Sequence, residues 1–160
     1  MAGIRIESDF EGQILKVLTA IETLDSVATE KALRVAGHDA AVLVADRVQQ
    51  KGNSVSGKMR TKSKYADGVY SKGHKKARSK ANLQTGFVDL TFSGDMMRSW
   101  QLIGSDSKTA DVGFISDTEG QKAEYLEAYY GEIFKLKKEE EEIVHETFDN
   151  EIENHLKSIK

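Results

Sequence analysis

The stretch whose spacing comes nearest to a familiar chemistry is Gly52-Asn53-Ser54-Val55-Ser56-Gly57-Lys58-Met59. A phosphate-cradling loop needs glycines at that separation, then Lys, then Ser or Thr to hold magnesium, and it must leave a strand and open a helix. Here Met59 takes the hydroxyl position, helix-like sequence precedes the loop and basic loop-like sequence follows it. Nucleotide chemistry is therefore not expected. Val144-His145-Glu146-Thr147-Phe148-Asp149 begins like the helix of a zinc peptidase, but Asp149 stands where a second histidine must complete the ligand pair. His38 and His155 read as helix-surface or interface residues, and His74 lies among lysines that disfavour its cationic form. The run Glu139, Glu140, Glu141 and Glu142 reads as a solvated helix start. No catalytic residue, metal or cofactor is expected.

Charge is more informative. Residues 51–82 carry ten Lys/Arg against one Asp, a net +9, whereas residues 1–50 come to −3 and residues 83–160 to −9, within a chain of net −3. A basic tract between acidic parts points to an acidic partner, either nucleic acid or a protein face, a second copy of this chain included. The candidate contact residues are Lys58, Arg60, Lys62, Lys64, Lys72, Lys75, Lys76, Arg78 and Lys80. Tyr65 and Tyr70 lie between Lys64 and Lys72, and aromatics interleaved with cations are how single strands are held. On the acidic side, Glu139, Glu140, Glu141 and Glu142 are candidate subunit contacts, with Glu124, Glu127 and Glu132 as further partners for the lysines.

The elements that must carry these groups follow from periodicity. Leu33, Ala36, Ala40, Leu43, Val44 and Val48 recur at helical spacing and predict a helix over Ala28–Gln50, with Asp46 and Arg47 off the apolar stripe. Ile14, Leu15, Leu18 and Ile21 predict a shorter helix over Phe10–Leu24, joined to the first at Leu24-Asp25-Ser26. Residues 51–82 lose both periods and predict a long basic loop or arm. Val88, Leu90 and Phe92 alternate with Asp89 and Thr91 as in a strand, with Leu90, Phe92 and Met96 facing the core. Ser93 is placed to cap a helical turn over Gly94–Met97. Trp100–Ile103 and Ala110–Ile115 predict a hairpin, and Glu119–Tyr130 a helix stopped by Gly131. Val144, Phe148, Ile152, Leu156 and Ile159 form one face of a final helix from about Lys138. The expected class is α+β, a small antiparallel sheet of about three to four strands packed against two long helices, with residues 1–160 forming one domain.

At 160 residues and 39% hydrophobic content the chain supports one modest core. Cysteine is absent, which removes disulfides and thiolate chemistry, and proline is absent, which leaves long helices unbroken. No apolar run is long enough to span a bilayer and the opening Met1–Arg5 lacks a signal peptide's apolar stretch, so assembly in the cytoplasm with no membrane partner is expected.

The passage Tyr70-Ser71-Lys72-Gly73-His74-Lys75-Lys76, followed by Val88-Asp89-Leu90-Thr91-Phe92-Ser93-Gly94-Asp95-Met96-Met97-Arg98-Ser99-Trp100, resembles the small neck and tail-completion proteins of long-tailed bacteriophages. The order continues through Asp111-Val112-Gly113-Phe114, Lys122-Ala123-Glu124-Tyr125 and Ile133-Phe134-Lys135-Leu136 to a terminal helix, so the resemblance covers about Ala28 to the end. One departure is Lys137-Lys138, where relatives place a Ser or Thr cap before the last helix. The resemblance implies a non-enzymatic virion protein of the neck or tail, assembled in the host cytoplasm. It implies a homo-oligomeric ring, a hexamer, joining the head-completion or connector proteins to the tail terminator or tail tube. A tail-terminator role and a nucleic-acid-binding module touching phage DNA through the basic loop are the alternatives.

Overall fold

The computed structural model describes residues 10–158, with side chains from Ser26 onward. Helix α1 runs unbroken over Phe10–Gln49, about 60 Å long at 1.5 Å per residue. The expected joint at Leu24-Asp25-Ser26 is absent because nothing there is Gly or Pro, and Asp and Ser are tolerated inside a helix at small cost. Along the described part, Ala28, Ala32, Ala36, Ala40, Val44 and Val48 are buried at every fourth position. A ridge of small residues lets neighbouring elements approach closely. The helix stops at Gly52, whose φ of +65° suits glycine, and where a Cβ would sit 2.7 Å from Phe87 Cβ. The first glycine of the loop-like motif is thus a helix stop.

The following segment is not the irregular arm its composition predicts. Strands β1 (Asn53–Ser54) and β2 (Gly57–Lys58) pair as one antiparallel ladder, and β3 (Ala66–Asp67) and β4 (Tyr70–Ser71) as another. Helix α2 (Lys72–Lys80) follows, with the Ser71 side chain accepting from the His74 N–H as its N-cap. Met59, Val69, Tyr70 and Arg78 are buried and tie this segment to the core.

The strand expected over residues 87–92 is absent. Val88 and Asp89 are adjacent yet both buried, Leu90 takes a φ of +53°, and Phe92 is 58% exposed and outside the core. A φ of that sign breaks the extended backbone a strand needs, and residues 87–92 pair with no other strand among those described. Helix α3 (Asp95–Ser99) buries Met96 and Met97, and its N-cap is Gly94 at φ +85°, one residue after the expected Ser93.

The second half matches its periodicities. Strands β5 (Trp100–Ser105) and β6 (Ala110–Phe114) form an antiparallel hairpin with a register shift between Leu102 and Gly104. Helix α4 (Asp117–Tyr130) is capped by Ser116 and ends at Gly131 with φ +88°. Helix α5 (Lys138–Ser158) closes the described chain. The class is α+β as expected, but the strands form three separate two-stranded ladders in place of one sheet.

The core gathers Val48, Met59, Val69, Tyr70, Val88, Met96, Met97, Ala123 and Ile133. At its edge Trp100, Phe114 and Phe134 pack ring to ring at 4.8–5.2 Å. A second layer is formed by α5 and the β5–β6 hairpin lying against α1. Lys31 pairs with Glu151, Asp39 with Thr147 and Arg47 with Glu140, so α1 and α5 run antiparallel. No residue of α5 is fully buried.

Candidate functional site

The nine predicted basic residues separate into two groups. Lys58, Arg60, Lys62 and Lys64, which lead from β2 toward β3, are exposed, as are Lys72, Lys76 and Lys80 on α2. Lys75 is half-buried and pairs with Asp67 at 3.0 Å. Arg78 is not a surface contact: it is 2% exposed and the only buried residue of α2. Its Nε donates to Gln84 O at 2.8 Å, one terminal nitrogen to Thr91 O at 2.6 Å and the other to Asp89 Oδ2 at 2.8 Å. Its guanidinium also lies 4.9 Å from the centre of the Tyr70 ring. Arg78 therefore anchors the basic helix to the loop before α3.

The two tyrosines of the tract also part company. Tyr65 is 62% exposed, with the Lys64 ammonium 5.1 Å from its ring centre. Tyr70 is buried and its hydroxyl donates to Phe87 O at 2.9 Å, so it is no stacking platform. Its phenol is pushed up to about 12, chiefly by burial and then by the negative charge of Asp89, against the opposing pull of Arg78. His74 packs 4.8 Å from the Tyr70 ring, and burial, then Arg78, holds its imidazole below the ordinary value. The expected direction stands, with burial and one arginine as the cause.

Tyr70 yields a pH prediction. An acid whose folded pKa is raised stays protonated in the native state while the unfolded chain ionises, so stability falls as pH rises above the ordinary 10 toward about 12. The loss is about 1.4 kcal/mol for each pH unit in that window. Urea denaturation of Tyr70→Phe between pH 9 and 11.5, in steps of about half a unit, is expected to show a shallower alkaline decline than the parent. Equal slopes would remove Tyr70 from the account.

The acidic candidates divide likewise. Glu139, Glu141 and Glu142 are exposed at the start of α5. Glu140 is spent within the chain: its carboxylate accepts from the Arg47 guanidinium and from the Lys137 N–H at 2.8 Å. This supplies the reach-back half of a capping box, which is how the helix starts without the Ser or Thr of the resembled family. Glu127 accepts from the N–H groups of Ile133 and Phe134, and Glu132 pairs with Lys135, while Glu124 is exposed.

Arg47, placed off the apolar stripe in the sequence, is 3% exposed. Besides Glu140, it donates to the carbonyls of Ile133 and Lys135. A signal was present: Arg47 falls three residues after Val44 and seven after Ala40, in line with the apolar stripe, whereas the exposed Arg34 directly follows Leu33 and lies off it.

A feature that sequence reasoning missed is an apolar groove of about 660 Å³ bounded by α1, the β5–β6 hairpin, the segment before α5, and α5 itself. Leu33, Ala40, Trp100, Val112, Phe134 and Phe148 are among its walls. Its size is that of a binding cleft. Only a folded chain reveals it, since the walls come from four separate stretches.

Among the described residues, no group of three or more His, Asp or Glu is placed to hold a metal ion, and no helix is long and apolar enough to cross a membrane. The chain matches no protein-family model, no curated protein and no solved structure.

Proposed function

We propose that this chain is a structural subunit of a long-tailed phage particle, a neck or tail-completion protein that works as a homo-oligomeric ring between head connector and tail. The observation that carries the reading is that opposite charges stay exposed on two different stretches of the folded chain. Lys58, Arg60, Lys62, Lys64, Lys72, Lys76 and Lys80 are exposed on one stretch of chain, while Glu139, Glu141 and Glu142 are exposed on another. Exposed tracts of opposite charge on a single chain favour association of copies, give it specificity and make it salt-sensitive. The resemblance lends support of a different kind. The passage that carries it supplies Tyr70, Val88, Met96 and Met97 to the core. In this reading its partners are head-completion or connector proteins on one side and tail terminator or tail tube on the other, and it resides in the virion.

Charge exchange tests it. Lys72→Glu with Lys76→Glu and Lys80→Glu is expected to abolish large species in sedimentation at low salt without altering the far-UV circular dichroism. Adding Glu139→Lys, Glu141→Lys and Glu142→Lys to the same chain is expected to restore them. A parent protein that stays monomeric at every salt concentration overturns the ring. Exposed Tyr65 beneath Lys64 favours one second reading, a module that grips single-stranded nucleic acid. That reading requires binding of an oligonucleotide whose logarithmic affinity falls linearly with the logarithm of salt.

A further inference from the structure

We infer that copies of this chain meet through the first five turns of α1, set parallel about a common axis along the seam Phe10, Ile14, Val17, Ile21, Leu24 and Ala28. The inference rests on the ring reading and specifies a contact within it.

Helix α1 outruns its partner in the chain. Lys31 pairs with Glu151, and α5 continues seven residues further to Ser158, so in the antiparallel register its described end is level with Leu24, seven residues before Lys31. Residues 10–23 of α1 extend past that end, fourteen residues or about 21 Å of helix. The edge itself keeps apolar surface open, with Val27 60% and Leu156 62% exposed.

The seam has the spacing that a helix shows to a copy of itself. Its six residues are separated by 4, 3, 4, 3 and 4 positions, the heptad alternation of a coiled coil. The eighteen residues from Phe10 to Ala28 make five full turns, so the two stand on one line of the helix with the other four close to it. Ala28 opens the ridge that the chain buries against itself. The same line therefore continues, apolar in sequence, beyond the point where α5 ends.

Charge selects the orientation. At the heptad positions flanking the seam, Glu11, Leu18 and Asp25 stand on one side and Gln13, Ala20 and Val27 on the other. Antiparallel copies set Glu11 of one against Asp25 of the next at both ends, whereas parallel copies set Gln13 near Leu18 and Ala20 near Asp25, where no like charges meet. Parallel helices are related by rotation about an axis along their length, the symmetry of a closed ring. Leu18, Ala20 and Val27 make the apolar face wider than a strict two-helix seam, as a helix with a neighbour on each side requires. At nineteen residues the seam is shorter than the about three to four heptads of a free-standing coiled coil, so it suits copies that a second contact already holds together.

The chain has no cysteine, which gives the full-length protein a clean cross-linking test. Oxidised under assembling conditions, Phe10→Cys is expected to form linked pairs at least tenfold more than Thr19→Cys, a position two and a half turns on and so on the opposite face. Val17→Asp with Ile21→Asp is expected to weaken association at least tenfold in sedimentation, while Thr19→Asp leaves it unchanged. The urea midpoint read at Trp100, at a dilution where the parent is monomeric, is expected to be the same in all of them, which separates lost association from lost folding. Large species with no preferred Phe10→Cys link, or undiminished by Val17→Asp with Ile21→Asp, overturn the seam and leave the ring. In a mixture, Phe10→Cys chains that link to Leu24→Cys chains in preference to themselves are antiparallel, which overturns the seam as stated. Failure of the parent to assemble at any concentration or salt overturns both.

Discussion

Arg78→Met is expected to destabilise the fold by about 3–5 kcal/mol, the usual cost of removing one partner from a buried ion pair. Against a typical total of about 5–15 kcal/mol, this brings the chain close to unfolding. The cost comes from what remains behind. Asp89 is 7% exposed and would keep a buried charge without its cation, and Gln84 O and Thr91 O would each lose a donor. Gln84 Nε2 and the Thr91 N–H still donate to Asp89, so its carboxylate is not wholly abandoned, which argues against a loss beyond that range. Adding Asp89→Asn removes the orphaned charge and is expected to return a large share of the stability. Urea denaturation of the parent, both single variants and the double variant measures the coupling directly. If Arg78→Met costs less than about 1 kcal/mol, the value of an exposed pair, the buried network is not what fixes α2. The consequence reaches the surface, because Arg78 is the only buried side chain of α2. Losing it frees Lys72, Lys76 and Lys80 from their fixed presentation, so assembly should weaken in any Arg78→Met protein that remains folded.

Arg78 also shows where the sequence stopped being legible. Helices α1 and α5 and the β5–β6 hairpin repeat apolar residues often enough for their type to be read, α4 was read from a helix-compatible stretch stopped by Gly131, and those assignments hold to within a few residues apart from the absent joint in α1. Two-residue strands such as β1 to β4 have no period to detect, and α2 buries a guanidinium in place of an apolar stripe. Composition therefore predicted an arm where the chain folds. The alternation over residues 87–92 was real in the sequence but misleading, since Asp89 is drawn inward by Arg78 and Leu90 turns the chain at φ +53°. For the candidate surface the outcome is similar. Exposed Lys58, Arg60, Lys62 and Lys64 lie where composition put them, while Arg47, Arg78 and Glu140 left the solvent for partners distant in sequence. The groove was invisible because its walls meet only after α1, the hairpin and α5 have packed.

Arg47→Met is expected to loosen α5 before anything else. Its guanidinium holds three separate points, the Glu140 carboxylate at the start of α5 and the carbonyls of Ile133 and Lys135 in the segment leading to it. The remaining polar ties are weaker. Lys31–Glu151 has a lysine that is 62% exposed, and such pairs contribute about 0–1 kcal/mol. Thr147 donates a neutral-donor hydrogen bond to Asp39 at 2.7 Å. With no fully buried residue in α5, apolar packing does not replace the lost anchor. A local loss of about 3 kcal/mol corresponds to roughly a hundredfold rise in opening, since each factor of ten is about 1.4 kcal/mol. Native-state hydrogen exchange is expected to show that rise in the amides of Glu142–Lys157, with smaller changes in Val44–Val48 of α1. Equal acceleration in both helices would mean that α5 opens only with global unfolding. Arg47→Lys separates charge from shape: an ammonium can answer Glu140 but cannot also fork to two carbonyls, so rescue should be partial. Val144, His145 and Phe148 on α5 form one wall of the apolar groove, so a loosened α5 opens that groove to solvent. Arg47→Met should therefore shift the emission of Trp100, which stands in the groove wall, even though Arg47 itself does not line the groove.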